Sequence, residues 1–350
     1  MLFRFLGGAA AIALMLVSFD FAAACSRVLW SDNGQAVVVG RNMDWYEDMA
    51  TNLWAFPRGI ARTGLAGDSS IAWTSKYGSV AAAVYDIGTA DGINEKGLVA
   101  NLLWLAESDY GPRDVKVPGL SISLWVQYAL DNFASVAEVV AAAEKGGLQL
   151  VPVRVPGSAN VATVHLSLSD ASGDSAIIEI VDGGKASIHH SRAYTVMTNS
   201  PVFEKQLANQ KRYQGLGGAQ PLPGTSDAAD RFVRAAFYVQ NLTRPKDRRQ
   251  AYASLLSVMR NVSQPFVKGG PDRPEASHTI WRTVADATGG VYLFESTLSP
   301  NIVWVRLDGL DFSAGVPVRK LDLVNNTDLV GDVTAAFKPA AALVFAPGGL

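Results

Sequence analysis

One cysteine, Cys25, stands in a chain of 350 residues. No intramolecular disulfide can brace such a chain, so its core must hold together by burial alone. Hydrophobic residues make up 49% of the sequence, the usual share for a globular protein, so the material for that core is present. The position of the cysteine is the second constraint. It closes the stretch "MLFRFLGGAAAIALMLVSFDFAAAC", in which one early cation, Arg4, precedes an apolar run and small residues stand at Ala22 and Ala24. That is the layout of a secretory signal peptide with an A-x-A cleavage site. The run from Phe5 to Ser18 is shorter than the roughly 20 residues a membrane span needs. The expectation is a signal peptide over 1–24, one domain over 25–350, and export to the periplasm. A net charge of −2 and the lack of a basic cluster argue against nucleic acid or an anionic membrane surface as partner.

Cleavage after Ala24 would make Cys25 the first residue, with thiol and α-amine on the same residue. An α-amine has an ordinary pKa near about 8, so much of it is neutral at working pH and can take the thiol proton. The thiolate is then a strong nucleophile that needs no histidine. Two other readings stay open on these residues alone. Cys25 could be a lipid-attachment site of a non-enzymatic lipoprotein, although Ala22 stands where an aliphatic residue is usual, or it could be a buried structural thiol.

Along the chain, β-rich segments fall at about 26–31, 35–40, 71–75, 79–87, 98–103, 161–169 and 175–181. In "HLSLSDASGDSAIIEIV" the runs flank the turn-rich 170–174 and predict a hairpin. Helices are expected for "LSISLWVQYALDNF", "SVAEVVAAAEKG", "TSDAADRFVRAAFYVQNL" and "KDRRQAYASLLSVMRNV". Ser135 and Glu138 form a capping box, and Gly146 is a stop signal. Strands of "HTIWRTVADATGGVYLFESTLSPNIVWVRL" follow, with Gly289-Gly290 as a turn. The loop "GLGGAQPLPGTS" (215–226) is the kind that often covers a site. His165, His189, His190 and His278 show no metal-ligand spacing, and a papain-like pairing of one with Cys25 would leave the cysteine's position unexplained.

Four blocks in order, beginning at Cys25 with "GRNMDW", then "ADGINEKGLVANLLWLAESDY", "VMTNSPVFEKQ" and "LPGTSDAADRFVRAAFY", resemble the choloylglycine hydrolase family of N-terminal nucleophile hydrolases. The resemblance implies an α+β fold, a four-layer αββα sandwich, and a cofactor-free, metal-free amidase. It implies that Cys25 is the nucleophile and that Asp44 accepts a hydrogen bond from its amine. Arg41 would sit beside the thiol and favour thiolate, or pair with Asp44 as an ordinary salt bridge. Asn199 would donate to the oxyanion, although before Ser-Pro it could be a turn residue. Arg231 would order the polar network, while Arg234, one turn on, could be a solvated charge. Where bile salt hydrolases carry an asparagine, this chain has Trp104. That departure points to the Gram-negative penicillin V acylase-like branch, whose members also cleave long-chain acyl homoserine lactones, with conjugated bile salts as the less favoured substrate. Trp45 and Trp104 would line the substrate pocket, with plain core packing as the alternative. The expected partner is a small amide with an apolar acyl group, and the family implies a homotetramer.

Overall fold

The computed structural model describes residues 25–268 and 277–349, so the expected signal peptide over 1–24 lies outside the described residues. Strands β1 (Ser26–Trp30) and β2 (Val38–Trp45) pair antiparallel, with Arg27 opposite Arg41 and Ser26 opposite Asn42. They stand near one end of a seven-stranded sheet. Val196–Thr198 flanks β1, and β2 is followed by His278–Asp286, Val291–Ser296, Ile302–Arg306 and Gly331–Asp332. A nine-stranded sheet faces it, with Val164–Ser169, Val99–Trp104, Gly88–Asn94, Ser79–Val84 and Asn52–Phe56 at its centre. The hairpin expected around 170–174 is present, joining Val164–Ser169 to Ser175–Val181.

Helices cover the two outer faces. Helices α1 (Trp125–Asn132) and α2 (Val136–Lys145) pack on the nine-stranded sheet. Helices α3 (Phe203–Gln210), α4 (Ala228–Gln240) and α5 (Arg248–Asn261) form the opposite layer, in which α4 and α5 pack on the seven-stranded sheet. The architecture is thus the αββα sandwich. One core fills the space between the sheets and reaches α4 and α5 through Phe232, Leu255 and Met259. The other lies beneath α1 and α2, around Leu130, Val136, Leu166 and Ile178. Among the described residues no helix is long and apolar enough to cross a membrane.

The local signals worked where side chains cap or stop the backbone. Ser135 accepts from the Glu138 N–H at 3.3 Å, and Gly146 ends α2 at φ +67°. They failed where tertiary packing decides. "LSISLWVQYALDNF" starts as a strand, Gly119–Ser121, then a 3-10 turn, and is α-helical only from Trp125. Helix α3 and strand β3 (Asn52–Phe56) were not expected. Helix α3 buries only Phe203 and Gln206 and so has little apolar periodicity to read.

Candidate active site

Strand β2 is buried along its whole length, and the two-residue period of a strand sends its side chains to opposite sides. Gly40, Asn42 and Asp44 face the helices. An added Cβ at Gly40 would meet Met259 Cγ at 2.7 Å, and Asn42 Nδ2 donates to the Met259 carbonyl at 2.8 Å. Arg41, Met43 and Trp45 face the space between the sheets and line a cleft there together with Cys25.

The Cys25 thiol is buried. Its sulfur lies 3.8 Å from Met43 Sδ, 3.8 Å from Arg41 Nη2 and 4.0 Å from the Asp44 carbonyl oxygen. His165, His189 and His190 are not among these neighbours, which removes them as papain-like partners. Burial pushes the thiol pKa up, and the nearby Arg41 guanidinium lowers it only in part. Arg41 thus acts in the direction expected of it, towards thiolate, while desolvation, the larger effect, acts against it. Arg41 also donates to the Leu102 carbonyl at 3.0 Å and stacks 4.4 Å over the Trp281 ring. The charge of Arg41 also acts on buried Asp91, whose carboxyl is raised by burial and lowered in part by Arg41.

Two pairings differ from expectation. The backbone nitrogen of Cys25 donates a short hydrogen bond to Asn199 Oδ1, not to Asp44. The ion-pair partner of Asp44 is Arg231, at 3.8 Å, and not Arg41. Positions 41 and 44 are an odd number apart on one strand, so the two side chains leave opposite faces and cannot pair. Asp44 Oδ1 accepts a short bond from Thr279 Oγ1, its cross-strand neighbour. Burial raises the Asp44 carboxyl to about 6, against the opposing charge of Arg231 and the Thr279 bond.

Arg231 reaches down from α4 and gathers this polar network. It donates to the Cys25 carbonyl and to Ser26 Oγ at 2.5 Å each, to Asn199 Oδ1 at 3.0 Å and to the Ser226 carbonyl at 2.9 Å. Its side chain is wholly buried, whereas Arg234 lies half-buried and holds the Pro223 and Thr225 carbonyls at 3.2 and 2.7 Å. Arg234 is thus a clamp on the 215–226 loop and not a free surface charge. That loop does not border the cleft.

Asn199 follows strand Val196–Thr198, which pairs with β1. Two donors on one side, Cys25 N and Arg231 Nη2, settle its amide orientation, and Nδ2 on the other side donates to the Trp104 carbonyl at 2.8 Å. Trp104 thus meets Asn199 through its backbone. The N–H of the next residue, Leu105, is taken by the Thr163 carbonyl at 2.9 Å.

The cleft encloses about 130 Å³ and is walled mainly by apolar side chains, the lining usual for ligand sites. Trp45 and Trp104 both border it, with ring centroids 5.7 Å apart. The sequence did not point to Tyr85, whose hydroxyl accepts from Trp45 Nε1 at 2.9 Å and donates to Glu47 at 2.6 Å. Nor did it point to Thr279, Trp281 or Gln206, whose Nε2 sits 3.2 Å from Thr198 Oγ1 and from the Asn199 and Ser200 carbonyls. Met43 was within reach of sequence reasoning, since it lies two residues from both Arg41 and Trp45 on one strand face. Away from the cleft, buried Glu179 is flanked by His165 and His189 at 3.3 and 3.4 Å. Burial alone would raise Glu179, but these hydrogen bonds hold it down at about 2. Among the described residues no cluster of three or more His, Cys, Asp or Glu is placed to hold a metal ion.

Comparisons with known proteins find relatives along most of the chain. A family model described as linear amide C-N hydrolases, choloylglycine hydrolase family, matches residues 25–330. A penicillin V acylase of Pectobacterium atrosepticum is 46% identical over 347 residues, 92% of each chain. A bile salt hydrolase/transferase of Clostridium perfringens is 30% identical over 234 residues, 57% of this chain and 66% of that one. Among solved structures, penicillin V acylase from Agrobacterium tumefaciens superposes with a TM-score of 0.83 at 48% identity, covering 92% of this chain and 99% of that one. A mutant of the conjugated bile acid hydrolase from Clostridium perfringens shares the fold, with a TM-score of 0.70 at 22% identity over 85% of this chain and 96% of that one.

Proposed function

The chain belongs to the choloylglycine hydrolase family of linear amide C-N hydrolases, and from that premise we propose that it is an exported, periplasmic acylase of the penicillin V acylase kind, with Cys25 freed as the first residue by removal of 1–24. The observation that carries this reading is Cys25 in the wall of an apolar cleft bordered by Trp45 and Trp104, with its own backbone nitrogen gripped by Asn199.

Because an ordinary thiol is mostly protonated near neutral pH and burial pushes that of Cys25 further up, a base beside it is required. The freed α-amine is that base. It takes the thiol proton as sulfur attacks the amide carbonyl, and a tetrahedral oxyanion forms. Asn199 Nδ2 has two hydrogens, of which the Trp104 carbonyl takes one, leaving the second for the oxyanion. The ammonium returns its proton to the leaving nitrogen, the C–N bond breaks, and a thioester remains. The amine then activates water, whose attack releases the acid and restores the thiol. Asp44 and Arg231 hold the frame of this chemistry, and Arg41 stabilises the negative sulfur.

The apolar acyl half of the substrate lies in the cleft along the wall that the touching Trp45 and Trp104 rings form, and the polar amine half is turned towards solvent. Penicillin V and N-acyl homoserine lactones suit that division. Trp104, in place of the asparagine of bile salt hydrolases, favours them over bile salts. The family expectation of a tetramer is carried with this proposal and is checked by light scattering of the purified enzyme. A lipid anchor on Cys25 is disfavoured, because the residue is buried.

The test is an amide-hydrolysis screen of the secreted protein against penicillin V, a glycine-conjugated bile salt and acyl homoserine lactones, with its N-terminus sequenced. The expected result is a chain starting at Cys25 that cleaves penicillin V, and a Cys25→Ser variant that loses nearly all turnover. A working enzyme that starts elsewhere would refute the mechanism. Cleavage of the bile salt alone would move the chain to the bile salt reading.

A further inference from the structure

The cleft crosses from one core of the protein to the other. Its thiol end, with Cys25, Arg41, Met43 and Trp45, belongs to the space between the two sheets. Its wall also includes Ile122 and Ser123, just after the strand Gly119–Ser121, and Ile122 belongs to the core beneath α1 and α2. Beside Ser123 the wall is completed by Ala346, from a C-terminal segment laid over the outer core.

This segment is firmly fastened. Ser121 Oγ and Ser123 Oγ both donate to the Ala346 carbonyl, at 2.8 and 2.7 Å, and the Ala346 N–H donates to the Ile87 carbonyl at 2.8 Å. On either side the chain is anchored again. Leu343 and Phe345 are buried in the outer core, and the Gly348 N–H donates to the Leu65 carbonyl at 2.7 Å. Two of the smallest residues in the cleft wall, Gly88 and Ala346, thus stand around Ser123. An added Cβ at Gly88 would lie 3.3 Å from Ser123 Cα and Cβ, and its backbone is not in the left-handed region, so a side chain there is tight without being strained.

We propose that Ala346, held by Ser121 and Ser123, gauges acyl-chain length: the far carbons of a long acyl chain, its carbonyl at Cys25, come to rest against this wall. The inference rests on the acylase reading above. The rigid fastening matters, because a wall that yields would not discriminate between chains. Each methylene moved from water into an apolar site improves binding by about fourfold, so the preference for longer chains should climb until the chain meets Ala346 and then stop.

The experiment measures kcat/KM of the processed enzyme for a series of straight-chain N-acyl homoserine lactones and compares the ratio of the longest well-accepted chain to the shortest. Ala346→Leu adds three carbons to the wall. The ratio should fall by up to about 60-fold, the product of three methylene factors, and the plateau should come two to three carbons earlier. Gly88→Ala presses on Ser123, one of the two residues that fasten Ala346, and the same ratio should fall. It keeps the test available if the leucine variant does not fold. A ratio and plateau equal to wild type in a folded variant would overturn the proposal. If the wild-type protein cleaves no acyl amide at all, the acylase reading itself has failed, a result distinct from an unshifted chain-length profile.

Discussion

The Asp44 carboxylate lies 3.8 Å from the Arg231 guanidinium, and both side chains are sealed from solvent. One comes from a strand of the central sheet and the other from the helix laid across it. Removing the cation would leave a buried charge without its counter-ion, a loss of about 3–5 kcal/mol. Arg231→Met should therefore lower the denaturation midpoint sharply in urea titrations. Adding Asp44→Asn should recover part of the loss, since the stranded charge is gone. The Cys25, Ser26 and Asn199 bonds stay broken, so recovery is incomplete. A double variant no more stable than the single one would show that the pair is not what Arg231 supports.

The same carboxyl makes stability depend on pH in a definite direction. Burial raises Asp44 from 3.8 to about 6 in the folded protein, so the folded state holds its proton more tightly than the unfolded chain. A raised acid favours folding below about pH 4 and loses that contribution as pH rises towards 6. Relative to the wild type, Asp44→Asn should gain about 3 kcal/mol across that window. Equilibrium unfolding of both proteins at several pH values reads the difference. A constant difference would mean that Asp44 titrates normally. The ion pair and the raised carboxyl are compatible: the pair is better than a lone charge, and a neutral group is better than either.

Asn199 joins the Cys25 nitrogen, Arg231 and the Trp104 carbonyl. Under the proposed mechanism Asn199→Ala removes an oxyanion donor, and kcat for penicillin V should fall about 10²–10³-fold. The effect should fall on kcat far more than on KM, because the oxyanion exists only in the transition state. A loss confined to KM would assign Asn199 to substrate binding instead.

Gly40, which opens the "GRNMDW" block, packs under α5. An added Cβ would meet Met259 Cγ at 2.7 Å and Sδ at 2.9 Å, and Met259 is itself fully buried. Gly40→Ala should cost about 1–3 kcal/mol by overpacking. Met259→Ala in the same chain should relieve the clash while leaving its own cavity cost, so the two effects should not add. Additive effects would mean that helix and strand are not in contact at this point.

Tyr85 fixes the indole of Trp45 through a 2.9 Å hydrogen bond at the cleft wall. Tyr85→Phe leaves the ring and removes the bond, worth about 1 kcal/mol. KM for acyl substrates should rise several-fold with kcat nearly unchanged. A variant that changes kcat alone would place Tyr85 in the chemistry and not in the wall.

What the sequence determined by itself was the local grammar. Ser135 and Gly146 bound α2, the 170–174 turn closes its hairpin, and the period of two along β2 sends Arg41, Met43 and Trp45 one way and Asn42 and Asp44 the other. Those are short-range consequences of backbone geometry. The resemblance in the four blocks named the residues that meet at the site, and they do meet. It did not say which touches which. Arg231 and not Arg41 pairs with Asp44, because only the crossing of α4 over the sheet brings that guanidinium to the helix-side face. Asn199 and not Asp44 holds the Cys25 nitrogen, because Val196–Thr198 is the strand that pairs with β1. Burial weighs more than charge in raising the thiol pKa, since desolvation depends on all that is packed around the sulfur. Partners, burial and the shape of the cleft arise from contacts between distant segments, and only the folded chain brings those segments together.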